Sequence, residues 1–120
     1  MQMAAFLKRL SEASGVSGYE ATVCDLVRQE FEKWSDEIRL DTMGSLVALK
    51  RGEREPGVPE RRVMITAHLD EIGLMVKRIE KGFIRFATVG GFDLRTLIGQ
   101  EVTVHGRHDL RGVIGIRPPH

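Results

Sequence analysis

Apolar residues fall at helical spacing near the start of the chain and in short runs bounded by turns near its end, and this change predicts two kinds of architecture. Phe6, Leu7, Leu10 and Ala13 form one stripe, which Gly15 is expected to stop. Ser17-Gly18-Tyr19-Glu20 has the capping-box pattern that opens a second helix, whose inner face should carry Val23, Leu26, Val27, Phe31 and Trp34. Arg28, Glu32 and Lys33 are left for solvent. Two short strands, Glu37 to Leu40 and Leu46 to Lys50, flank the turn residues Asp41-Thr42-Met43-Gly44-Ser45. A polar loop rich in Gly and Pro, expected to be exposed and mobile, occupies Arg51 to Arg61. Val63-Met64-Ile65-Thr66-Ala67 then reads as a strand covered on both faces, as in a parallel sheet. Beyond it, Ile72 to Ile79, Phe83 to Val89, Glu101 to His105 and Leu110 to Ile116 read as strands with no helical period among them. An α/β layer giving way near residue 72 to a small antiparallel barrel or sandwich is the architecture this implies.

Composition narrows the class without naming it. With 120 residues, 42% hydrophobic and 29% charged, the chain is a globular one able to bury a single modest core. Its formal net charge of +1, with both signs interspersed, argues against a nucleic-acid surface, and the basic stretch Lys50 to Arg54 is broken by Gly52 and Glu53. Cys24 is the only cysteine, which rules out an internal disulfide and suits a reducing cytoplasm; it reads as a structural residue at the edge of the second helix's packed face. No stretch reaches the ~18 apolar residues of a membrane span, and the start of the chain has no long apolar segment of the secretory kind.

The candidate chemistry lies where the apolar run ends, at His68-Leu69-Asp70-Glu71. Extended side chains alternate, so His68 and Asp70 project to one side and Leu69 and Glu71 to the other. Ligands of open α/β sheets collect beyond the carboxyl ends of strands, which is where this pair would stand. His68 is therefore the candidate metal ligand, with Asp70 accepting a hydrogen bond from its other ring nitrogen and fixing tautomer and orientation. The competing reading is a strand-end histidine satisfied by a carbonyl or water. His105, His108 and His120 sit apart in the strand-rich half and read as turn, surface and chain-end residues. Gly90-Gly91 and Gly99 suit tight turns, and Asp93 with Arg95 a local loop pair.

Taken in order, Gly15-Val16-Ser17-Gly18-Tyr19-Glu20, Asp41-Thr42-Met43-Gly44-Ser45-Leu46, Ala67-His68-Leu69-Asp70-Glu71-Ile72-Gly73-Leu74-Met75, Val89-Gly90-Gly91-Phe92-Asp93 and Gly112-Val113-Ile114-Gly115 with Pro118-Pro119-His120 resemble the N-terminal part of the tetrahedral, or TET-type, di-metal aminopeptidases. That family includes glutamyl and deblocking aminopeptidases, and some members have carried an endoglucanase or cellulase label. The resemblance implies an α/β fold. Residues 1–71 would be the first part of a metallopeptidase catalytic domain, with two helices and a mixed sheet, and residues 72–120 part of an inserted antiparallel β-barrel dimerisation domain. It further implies peptide substrates, two divalent metal ions such as zinc or cobalt, and dimers that assemble into a dodecameric shell. His68 matches a metal ligand and Asp70 the catalytic-site acid behind it; a metal-activated water, with a glutamate as general base, would cleave the N-terminal peptide bond.

The bridging aspartate, catalytic glutamate, other carboxylate ligands and second histidine of the family have no counterpart before His120, so the 120-residue polypeptide is expected to be a truncated and inactive portion that self-associates through uncovered apolar faces. Two other classes compete. A glycosidase using Asp70 and Glu71 meets a geometric objection, because neighbours on a strand face apart while such chemistry needs carboxylates about 5 to 9 Å apart across one bond. A non-catalytic assembly module built on the strands from Ile72 to Ile116 is the other.

Overall fold

The computed structural model describes residues 2–53, 57, 59 and 61–116, which divide into two units, Met1–Val89 and Gly90–His120. In the first unit, α1 (Met3–Glu12) turns Phe6 and Leu10 inward to partial burial, while Leu7 stays exposed. The helix ends as Ala13 becomes extended, before Gly15 is reached. Gly15 is needed for a different reason: a Cβ there would lie 2.7 Å from Val23 Cγ1, so only a bare backbone fits against α2 (Ala21–Phe31).

The expected capping box is not formed. Ser17 makes no cap; the Glu20 carboxylate instead accepts the Gly18 N–H at 2.7 Å, and Gly18 takes a φ of 88° within a turn closed by Tyr19 N–H on Val16 O. The helix begins at Ala21, three residues later than the box requires. Its buried face is Val23, Cys24, Val27 and Glu30. Phe31 and Trp34, expected in the core, are 42% and 66% exposed, because the helix ends at Phe31 and the following turn carries Trp34 to the rim. Glu30 is tolerated inside because Lys33 Nζ at 2.6 Å and Trp34 Nε1 at 3.2 Å donate to its carboxylate, and those two bonds hold its pKa below the ordinary value. Cys24 is fully within this face rather than at its edge; burial, then Asp25, raises its thiol pKa, so the group is a packing residue and not a nucleophile.

The hairpin of β1 (Glu37–Leu40) and β2 (Leu46–Leu49) matches the sequence reading closely, and β2 contacts α2. Its connection is organised by Asp41, whose Oδ1 accepts the N–H groups of Met43 and Ser45 at 2.9 and 2.8 Å, with Gly44 at a φ of 86°. Asp36 ties the hairpin's open end to Lys50 Nζ and Arg51 N–H, and Arg51 also pairs with Glu37. A second hairpin, β3 (Gly73–Glu80) with β4 (Phe83–Val89), turns through Lys81 and Gly82 at φ 51° and 81°. Two positive-φ residues between antiparallel strands are the type I′ solution, whose twist matches that of the strands. Its register shifts between Val76 and Arg78, so Lys77 is the extra residue of a bulge.

The second unit holds the hairpin of β5 (Glu101–Val104) and β6 (Leu110–Val113), preceded by a one-turn helix α3 (Leu94–Leu97) that periodicity did not signal. Asp93 nucleates that turn: its Oδ1 accepts the Arg95 N–H, and both carboxylate oxygens accept from the Arg95 guanidinium, confirming the loop pair read from sequence. Ile114, buried to 7% exposure, exchanges backbone bonds with Gly99 and Gln100 and forms this unit's core.

Two expectations are corrected. Every sheet among the described residues is two-stranded and antiparallel, so the mixed sheet does not appear; the only parallel pairing there is an isolated bridge between Val16 and Glu71. Val63 to Ala67 is neither a strand nor buried: Val63, Met64 and Ile65 are 86%, 86% and 91% exposed. A strand exists through its ladder, and none of the described strands pairs with this segment. Of the polar loop, Arg51, Gly52 and Glu53 are exposed, whereas Arg54, Glu55, Pro56, Val58 and Glu60 lie outside the described residues, as does His120.

Candidate metal-ligand site

The segment after the apolar run belongs to none of the described strands and is anchored at Glu71. Glu71 N–H donates to Gly15 O at 2.9 Å, and the Gly15 N–H donates to Glu71 Oε1 at 2.9 Å. Just beyond, a Cβ on Gly73 would stand 2.2 Å from Val16 Cγ2, so Val16 lies directly on the bare backbone of Gly73. The turn between α1 and α2 therefore forms the seat of the His68-Leu69-Asp70 segment.

On that seat His68 and Asp70 meet as the alternation of side chains predicts. His68 Nδ1 lies 2.9 Å from the Asp70 carbonyl oxygen and 3.2 Å from Asp70 Oδ1. Both partners are acceptors, since a carbonyl has no proton and a carboxylate at neutral pH has none either. Nδ1 must then carry the hydrogen of the neutral ring, which leaves the lone pair on Nε2. The His68 side chain is 86% exposed, so that lone pair is open to an incoming ion. This is the tautomer and backing that an Nε2 metal ligand requires.

One imidazole is one ligand. Among the described residues no group of three or more His, Cys, Asp or Glu side chains converges on a point where an ion could be held. The donor chemistry at His68 fits a divalent transition metal, while the rest of a coordination shell is not supplied by the described residues. His105 Nδ1 pairs with Asp109 Oδ1 at 3.1 Å across an exposed turn, and His108 stands exposed in the same turn, so neither approaches a ligand set. Asp70 and Glu71 hold separate partners, His68 and Gly15, and so do not form the facing carboxylate pair of a glycosidase.

Sequence reasoning missed the part played by Glu71 and Gly15. Gly15 read as a helix stop, and Glu71 only as a residue projecting away from His68, with the glycosidase pair it would make with Asp70 disfavoured. A usable signal was present in the alternation itself: Glu71 projects opposite to His68, toward Gly15, whose buried N–H needs an acceptor.

Residues 44–120 match the M42 glutamyl aminopeptidase family. The chain is 38% identical over 117 residues to the lysyl aminopeptidase of Pyrococcus furiosus, covering 95% of this chain and 32% of that protein. Among solved structures it is similar to the TET aminopeptidase of the marine sediment archaeon Thaumarchaeota archaeon SCGC AB-539-E09, with a TM-score of 0.85 at 33% identity over 98% of this chain and 32% of the other. PhTET1-12s, solved as a dodecamer, matches with a TM-score of 0.78 at 37% identity over 100% of this chain and 35% of the other. The chain thus spans about a third of the length of the proteins it matches. The order of helices and antiparallel hairpins is that of the TET aminopeptidase fold, and with the family match over residues 44–120 it follows that this chain belongs to the M42 glutamyl aminopeptidases.

Proposed function

We propose that this chain supplies His68, one ligand of the metal centre of a metal-dependent aminopeptidase, together with Asp70, the acid that holds the ring. The observation that carries the reading is the single ring nitrogen left free: Nδ1 is engaged by Asp70 through both its carbonyl and its carboxylate, so Nε2 alone faces outward. The complete site would hold two divalent ions, zinc or cobalt. When bound, such ions lower the pKa of water and polarise a carbonyl, the chemistry needed to hydrolyse the peptide bond behind an N-terminal residue. The contribution of these residues is to present a neutral imidazole in a fixed orientation.

Residues 1–71 would belong to the catalytic domain, and residues 72–120 to a β-barrel dimerisation domain. The dodecameric relative supports assembly of copies of this chain, which such a domain would mediate. Peptides are the substrate class, and the cytoplasm is the compartment that a lone cysteine suits. Because no ligand cluster forms around His68 among the described residues, the reading is that residues 1–120 by themselves do not hydrolyse peptides.

The test is a graft. Residues 1–120 replace the matching portion of the Pyrococcus furiosus lysyl aminopeptidase, and release of N-terminal residues from peptides is followed. The graft should be active, lose activity with EDTA, regain it with zinc or cobalt, and fall by more than about a hundredfold on His68→Ala. A folded, active graft indifferent to His68→Ala would overturn the ligand assignment, and N-terminal release by residues 1–120 alone would overturn the inactivity.

A further inference from the structure

We infer that Glu71 is a positioning residue for His68, acting by clamping the peptide unit between Asp70 and Glu71 to the backbone of Gly15. That one peptide unit is held at both ends. Its carbonyl, from Asp70, faces His68 Nδ1 at 2.9 Å, and its N–H, from Glu71, donates to Gly15 O at 2.9 Å. A peptide is planar, so fixing the N–H direction fixes the opposite direction in which the carbonyl points. The Glu71 carboxylate then closes the ring by accepting the Gly15 N–H at 2.9 Å. Gly15 is buried, which makes its N–H a group that must find a partner, and a carboxylate is a strong one.

The clamp is reinforced by shape. Gly73 cannot take a side chain without striking Val16, and a Cβ on Gly15 would stand 3.6 Å from Leu69 O, so the two segments run close together on both sides of Glu71. Asp70 alone does not account for the arrangement. Its carboxylate is the longer contact to the ring, at 3.2 Å, and the backbone carbonyl is the shorter. What aims that carbonyl is the backbone bond from the Glu71 N–H to Gly15 O on the other side of the peptide, and the Glu71 carboxylate holds that acceptor in place by binding the Gly15 N–H.

Why the ring needs aiming rests on the proposed ligand role, but the clamp is testable without a metal. The polypeptide of residues 1–120 is labelled with 15N-histidine and studied by magic-angle-spinning NMR, which reads tautomers in assemblies of any size, at about pH 9, where histidine rings are neutral. His68→Gln identifies the His68 signal. The native chain should show His68 with its proton on Nδ1. Glu71→Ala should shift the population toward Nε2–H and raise Gly15 amide exchange, followed by mass spectrometry, by about tenfold or more. Glu71→Gln keeps an acceptor oxygen and should preserve both readings. Glu71→Asp keeps the charge but shortens the reach; it should resemble Glu71→Ala, and it gives the comparison if the alanine variant does not fold. A native His68 with its proton on Nε2, a tautomer unmoved by Glu71→Ala and Glu71→Asp, or failure of Glu71→Gln to preserve it would each overturn the clamp. Cobalt binding, measured alongside, separates the two ideas: a tautomer that shifts with Glu71 while His68→Gln leaves cobalt affinity unchanged supports the clamp and removes the ligand assignment.

Discussion

Val16 and Gly73 set the tightest packing condition near His68. Gly73→Ala forces a methyl group into the space of the Val16 side chain, whose β-branching leaves few rotamers for escape. The substitution should destabilise the chain by about 1 to 3 kcal/mol in urea unfolding, the usual cost of overpacking. Val16→Ala should return part of that loss when combined with it, and a purely additive pair would show that the contact is not the cause. Spacing disclosed His68 and Asp70 because their relation is local, two residues apart on an extended chain. Gly15 and Glu71 are 56 residues apart, and their relation could not be read from either neighbourhood.

The hairpins show how far local chemistry fixes an element. Lys81-Gly82 occupies a turn in which both residues have positive φ, which glycine accepts and lysine resists. Gly82→Ala should therefore cost about 1 kcal/mol, and Lys81→Asn should stabilise by a few tenths of a kcal/mol, measured by thermal unfolding. An unchanged Gly82→Ala variant would mean that this hairpin adds nothing to the transition followed. All four strands after residue 72 were legible within a few residues, because each hairpin has its partner nearby in sequence. The Asp41 turn was legible for the same reason. The one-turn helix α3 was not, since four residues carry no period and only the Asp93 cap defines it. The capping box failed because Glu20 satisfied the nearer N–H of Gly18.

At the scale of the molecule, many apolar side chains stand uncovered: Val63, Met64 and Ile65 after the polar loop, and Val76, Ile79, Phe83, Ile84 and Phe86 on the second hairpin, are all exposed. Residues 1–120 in isolation should sediment faster than a monomer at micromolar concentration, and Ile65→Lys should reduce that association; a native monomer would show these faces to be tolerated in water. Acid should weaken the fold. Asp36 is held below the ordinary carboxylate range by Arg51 N–H and Lys50, Asp41 by Ser45 N–H, and Asp93 by the Arg95 side chain. Their folded values lie below the unfolded value of about 3.9, so their stabilisation is complete above it and is lost as pH falls through the folded values. Thermal midpoints should decline below about pH 4, and Asp41→Asn should flatten that decline. The sequence by itself determined the first two helices, the hairpins and the pairing of His68 with Asp70, because each depends on residues a few positions apart. Tertiary structure alone decided that Gly15 and Val16 form the seat of that pair, that Trp34 stands at the rim, and that the run at Val63 stays uncovered. Those outcomes depend on which distant backbone groups come within bonding distance, a choice that no local periodicity encodes.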